Sequence, residues 1–287
     1  RRLRQGPSMS KGGLFADLPL ARRLESADAW IGLESARIHA QLYPESGAAS
    51  LTVPGGYGLY TGTGSPLTQV LGLGMEGEIT AAQMDEVESF FRMRGAHVSV
   101  ELCPLADRAL LPLLAQRGFL LTGFSNMLVR RCAPPAPPAP VVEAIVRRCS
   151  PAEAEVWART VLEGFMGSMP APDESVAVLT SLFHQPDTVC LLALVDGIPA
   201  GGGALSVHEG VAAMYGASTL PAFRRRGIQG AVIQALVAAA IDAGCDLCYT
   251  LTEPGSASQR NLERQEFHIA YTRATVTKRF VADLAGA

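Results

Sequence analysis

The 287-residue chain has no long hydrophobic run, and none of its apolar stretches reaches the ~18 residues of a membrane span. It has no surplus of basic charge either. Its 24 Lys and Arg face 27 Asp and Glu, a formal net charge of -3, which speaks against a nucleic-acid partner. The six cysteines are scattered, and only Cys245 and Cys248 lie close together. No second pair and no histidines at ligand spacing follow them, so no metal is expected. Their segment reads as a strand, in which residues three apart point to opposite faces. Buried thiols in a reducing cytoplasm are the expectation, and the cytoplasm is the expected location. Residues 1–12, which include eight residues ahead of Met9, are read as an expression remnant or disordered segment and set aside. What is present is 48% hydrophobic and 18% charged residues, a balance that excludes disorder as the main state and suffices for two ordinary cores.

The chain divides at residues 133–140, where five prolines in eight residues remove backbone donors and favour an extended spacer. The expected organisation is one domain over 13–132, the linker over 133–140, and a second domain over 141–287. The two parts end alike. A strand leads to Cys103-Pro104, a helix, Arg117-Gly118-Phe119 and a final strand. In the second half a strand leads to Glu253-Pro254, a helix, Gln265-Glu266-Phe267 and a final strand. This is self-similarity on the scale of a domain.

In the second half, residues 142–147 read as a strand. Ser150-Pro151-Ala152-Glu153 is a capping-box start for a helix that should carry Trp157, Val161 and Phe165 on one buried face. A loop over 165–172 and a short helix follow. Residues 188–195 form a dense apolar run closed by Asp196-Gly197, a hairpin signal. Two more strands, a basic glycine-containing loop, and a long helix with Ile228, Val232, Leu236 and Ala240 on its buried stripe come next, and Gly244 caps it. The order is β-α-α-β-β-β-α-β-α-β, an α/β fold with a mixed sheet and helices on both faces.

The chemistry concentrates in Thr219-Leu220-Pro221-Ala222-Phe223-Arg224-Arg225-Arg226-Gly227-Ile228-Gln229-Gly230. A strand ends in a tight basic turn that opens straight into a long helix. The free N–H groups of a helix N-terminus suit a pyrophosphate, and Gly227 lets the backbone approach it without a Cβ in the way. Physics alone says only that an anion binds here, and a solvated arginine turn is the bland alternative.

The order of residues resembles the acyl-CoA motif Gln/Arg-x-x-Gly-x-Gly/Ala of the GNAT superfamily of N-acetyltransferases. Arg224 and Gly227 match, and Gln229 stands where a second Gly or Ala is usual. The resemblance covers about the second half of the chain, and the first half looks like a degenerate partner, so the implied architecture is a tandem GNAT-like fold. It implies acetyl-CoA as co-substrate. Its pantetheine would lie along Ala217, Ser218 and Thr219, its pyrophosphate on Arg224, Arg225, Arg226, Gly227, Ile228, Gln229 and Gly230, with Ser258 and Asn261 as further contacts. The usual tyrosine is replaced by Leu262, which leaves Tyr215 and Tyr271 as substitutes. Glu253, at the end of the strand facing the splay, is the preferred base, with a solvated loop carboxylate or a water relay as the alternatives. His208 and Glu209 lie in the turn before the splayed strand, and the loop over 165–172 would line the acceptor pocket.

In the first half, Gly72-Leu73-Gly74-Met75-Glu76-Gly77 matches G-x-G-x-x-G. Glu76 and Glu78 would set negative charge against a pyrophosphate, and the helix starts late, at the capping box Thr80-Ala81-Ala82-Gln83, so a dinucleotide is not expected. The first half is expected to wall off or support the other. The function implied is acetyl transfer to a primary amine of a small molecule or peptide, with no membrane or nucleic-acid partner. The alternative is a module that binds acyl-CoA without turnover.

Overall fold

The computed structural model describes residues 14–133, 142–167 and 170–280. The remnant and nearly all of the proline linker read from the sequence lie outside these residues.

The first half contains α1 (Leu18–Leu42), β1 (Ala49–Val53), β2 (Gly56–Tyr60), β3 (Gln69–Leu71), α2 (Ala81–Arg92), β4 (Val98–Leu102), α3 (Leu110–Gln116) and β5 (Leu120–Arg131). The second contains β6 (Ile145–Arg148), α4 (Ala154–Met166), α5 (Asp173–Phe183), β7 (Thr188–Val195), β8 (Ile198–His208), β9 (Val211–Thr219), α6 (Ile228–Asp242), β10 (Leu247–Thr252), α7 (Ala257–Glu263) and β11 (His268–Lys278). The order expected for the second half is the order found. Local chemistry accounts for its boundaries. Ser150 and Glu153 form their capping box, and Asp196 and Gly197, at φ 51° and 78°, make the tight turn of the β7–β8 hairpin. The α6 stripe of Ile228, Val232, Leu236 and Ala240 is buried.

Among the described residues the eleven strands form one mixed sheet, in the order β1-β2-β3-β4-β11-β5-β10-β9-β8-β7-β6. The last strands of the two halves have changed places. β11 pairs with β4, β5 pairs with β10, and the two run antiparallel to each other at the centre. Leu120 faces Thr277 and Val129 faces His268, so the two pairs are related by a local pseudo-twofold axis that exchanges the two strands. Helices cover both faces. α1, α4 and α5 lie on one, where α1 packs on Met127, Val129, Ala213 and Tyr249. α2 and α3, then α6 and α7, lie on the other, against Val98 and Val100 in the first half and Leu128, Met214 and Cys248 in the second. The cysteine pair behaves as buried thiols, with Cys248 of β10 2.9 Å from Cys132 at the end of β5.

The glycines of the G-x-G-x-x-G stretch serve the backbone. A Cβ on Gly72 would clash with the carbonyl oxygen of Gly55, so this turn is packed against the start of β2. α2 begins at the Thr80–Gln83 capping box, well beyond Gly77.

One packing expectation is corrected. Trp157 and Val161 are buried, but Phe165 is 57% exposed, because α4 runs past the edge of its core to Met166.

Candidate active site

β9 and β10 are paired in parallel only at Val211–Leu247, Ala212–Cys248 and Ala213–Tyr249. Beyond Ala213 they separate, while β10 stays bonded to β5 along its whole length. β9 stays bonded to β8, but with a bulge. Between the pairs Gly202–Ser218 and Ala204–Tyr215, Gly203 faces two residues, Gly216 and Ala217, and Gly216 takes φ 72°. The inner side of β9 is therefore a strand edge without a strand beside it, a surface ready to pair with an extended ligand.

The wedge between the strands holds a cleft of about 170 Å3. It passes through the sheet. Asp28 and Ile31 of α1 and Phe165 of α4 line it on one face, and Ile233 of α6 with Ser258 and Leu262 of α7 line it on the other. Its closed end is the last β9–β10 pair, Ala213 and Tyr249.

At the open end β9 leads into the arginine loop. Arg225 at φ 64° and Gly227 at φ 77° put two left-handed residues around Arg226, a turn that gathers backbone N–H groups on one side. α6 then begins with no side-chain cap and no acidic residue in its first turn, although α1 and α2 are capped by Asp17 and Thr80. The leading N–H groups of α6 are thus free for an anion. The three arginines differ in use. Arg224 donates to the carbonyls of Gly164 (2.8 Å) and Thr219 (3.3 Å), which ties the loop to α4. Arg226 pairs with Glu143 at 2.8 Å. Arg225 is exposed and has no ion-pair partner among the described residues.

Gln229 joins the two sides of the site, donating to the carbonyl of Ala217 (2.8 Å) and accepting from Asn261 (2.6 Å). Ser218 turns its hydroxyl to the Val161 carbonyl at 2.9 Å and is buried. Ile228 and Leu262 are core residues, and Gly230 lies in the first turn of α6.

The structure separates the proposed acid–base residues. Tyr215 lines the cleft, but its hydroxyl meets Ser206 at 2.8 Å, and burial holds its phenol above the usual range. Tyr271 is not among the lining residues. It donates to Glu25 at 2.8 Å, and burial raises its pKa as well. Glu253 follows β10 as an exposed residue and does not line the cleft. His208 stacks on Trp30 with ring centroids 4.9 Å apart, and neither it nor Glu209 lines the cleft.

What the sequence reading missed comes from α1. Asp28 reaches the cleft, accepting a hydrogen bond from Tyr249 (3.0 Å) and an ion pair from Arg273 (2.6 Å). Acidic residues on the buried side of a helix were the available signal. Nearby, a larger cavity of about 630 Å3 lies between the end of α1, the loop before β3, and α4 and α5. Among the described residues its lining includes Glu45, Glu174, His39, Tyr43 and Tyr60, and no Lys or Arg. Leu162 lines this cavity and Phe165, one turn further along α4, lines the cleft.

A wedge between parallel strands that opens onto an uncapped basic helix N-terminus is accompanied by a match to the acetyltransferase (GNAT) family over residues 157–267. The chain carries a GNAT domain. By class it is an acyltransferase. A structure described as a GCN5-related N-acetyltransferase from Kribbella flavida superposes with a TM-score of 0.63 at 19% identity, over 87% of this chain and 98% of that one. One from Sphaerobacter thermophilus gives 0.58 at 15% identity, over 80% and 75%. A tandem GNAT protein from the clavulanic acid biosynthesis pathway gives 0.57 at 13%, over 76% of each chain. At these identities the likeness is one of fold, and its extent brings the first half into the GNAT architecture too. No curated protein matches the chain. Among the described residues no helix is long and apolar enough to cross a membrane, and no group of three or more His, Cys, Asp or Glu is placed to hold a metal.

Proposed function

We propose that the GNAT domain transfers the acetyl group of acetyl-CoA to a primary amine by direct attack of the nitrogen on the thioester. What supports this is the wedge itself, an unpaired β9 edge that runs from a closed apex to the free N–H groups of α6. The pyrophosphate would sit on residues 225–230, with Arg225, which has no ion-pair partner among the described residues, as its cation. The pantetheine would lie beside Ala217 and Thr219, where a pantetheine amide would take over the Ala217 carbonyl from Gln229. Ser258 and Asn261 would flank the cofactor from α7. The bulge N–H groups would face the thioester oxygen, where charge develops on attack.

Because the cleft passes through the sheet, cofactor and acceptor would enter from opposite faces. The α6 and α7 face would receive CoA, and the α1 and α4 face the amine. The body of the acceptor would occupy the adjoining cavity, whose described lining carries two carboxylates and no Lys or Arg and so suits a polar, cationic small molecule or peptide end.

Calorimetric titration with acetyl-CoA tests the cofactor site. The wild type should bind one equivalent per chain, and Arg225→Glu should weaken binding about tenfold or more. Arg225 is exposed and already left-handed, so the substitution reverses charge without disturbing the core. Absence of saturable binding by the wild type would refute the proposal. Binding without amine-dependent CoA release would point to the sensing module instead.

A further inference from the structure

The closed end of the cleft borders on a buried charge cluster built from both ends of the chain. Arg273 of β11 holds Glu25 of α1 through two donors at 2.9 Å each and Asp28 at 2.6 Å. Tyr271 donates to Glu25, and Tyr249 donates to Asp28. Arg273 and Glu25 are fully buried, whereas the Asp28 side chain is 17% exposed and is the carboxylate of the pair that lines the cleft.

One guanidinium serves two carboxylates, so the cluster has one negative formal charge in excess. The other titratable neighbours do not offset it. Burial keeps the phenols of Tyr249 and Tyr271 and the thiol of Cys103 in their neutral forms, the thiol pushed up to about 12. Burial also lifts Glu101 above the usual carboxylate range, with Asp28 and Glu25 adding to the effect. An uncompensated charge in a confined site is costly, and a cation in the cleft offsets it.

Resting on the transfer function proposed above, we infer that Asp28 is the anchor for the acceptor's ammonium group and the first recipient of its proton. The first half of the chain thereby supplies the acceptor side of the active site, through a residue fixed in place by the last strand. In the reaction the ammonium releases one proton through Asp28 to solvent. The nitrogen lone pair then bonds to the thioester carbon, and the C–S bond breaks with its electron pair leaving on sulfur. The second proton lost by nitrogen goes to the thiolate, giving amide and free CoA thiol.

Two thioethers of CoA test this without knowledge of the acceptor. S-(2-aminoethyl)-CoA carries an ammonium group next to the position of the thioester, and S-propyl-CoA is its neutral counterpart. Calorimetry at pH 7 should show the wild type binding the aminoethyl compound about tenfold or more tightly than the propyl compound. Asp28→Asn should lose that preference and leave the propyl affinity unchanged, and Asp28→Glu should retain it. The wild-type comparison stands even if Asp28→Asn does not fold. Equal affinities in the wild type, with both compounds bound, would overturn the role of Asp28 and leave the CoA site intact. Binding of neither would overturn the CoA site as well.

Discussion

Arg273, in the last strand, grips Glu25, in the first helix, through two N–H donors at 2.9 Å, with both side chains fully buried. Such a pair is costly to desolvate and more costly to halve. Arg273→Met should lower the free energy of unfolding by about 3–5 kcal/mol, because the buried Glu25 and the part-exposed Asp28 lose the cation they share. The double variant Glu25→Leu/Arg273→Met should recover part of that loss. Urea unfolding of the three proteins measures both values.

Gly118 and Glu266 occupy matching positions after α3 and α7, and both are left-handed, at φ 81° and 62°. Gly118→Ala should cost about 1 kcal/mol, since a Cβ disfavours that region. Glu266→Gly should act with the opposite sign and a smaller size. It relieves the backbone but gives up the pair with Arg130 and adds freedom to the unfolded chain. Thermal melts of both variants are sufficient.

His39, buried on α1, is held below its ordinary pKa of 6.5, chiefly by loss of solvation and against the pull of Glu45. Its ring nitrogen meets Ser181 at 2.8 Å. The folded state therefore binds the proton less readily than the unfolded chain. The contribution to stability is complete above about pH 6.5 and is lost as the pH falls from there through the depressed folded pKa. His39→Gln should flatten the dependence of unfolding free energy on pH across that window. An unchanged slope would remove His39 as its source.

Gly164, in the last turns of α4, lets the helix rest on β9. A Cβ there would lie 2.5 Å from the Ser218 hydroxyl and 3.2 Å from the Thr219 nitrogen. Gly164→Ala should destabilise the fold by about 1–3 kcal/mol through overpacking. It should also weaken acetyl-CoA binding, because β9 and the Arg224 anchor on the Gly164 carbonyl would both shift. Calorimetry of the folded variant separates the two effects.

The sequence by itself determined the elements of the second half and the loop before α6. The signals there are local. A capping box, an Asp-Gly turn, a helical stripe and a glycine ahead of a helix each act within a few residues. The same applies to the cofactor-binding candidates, which lie along one continuous strand–loop–helix segment or, like Ser258 and Asn261, on the next short helix.

The tertiary structure alone decided which strands pair. An alternating pattern says that a strand is half-buried but not which neighbour it meets, so the insertion of β11 between β4 and β5 has no mark in either segment. The proposed acceptor side follows from that exchange. It carries Arg273 under α1, where Glu25 and Asp28 wait on the buried side of a helix. Glu253, close to the motif in sequence, is left exposed and outside the cleft, while Asp28, some two hundred residues from the arginine loop, lines it. The physical reason is that charge burial depends on partners brought together by folding, and those partners come from opposite ends of the chain.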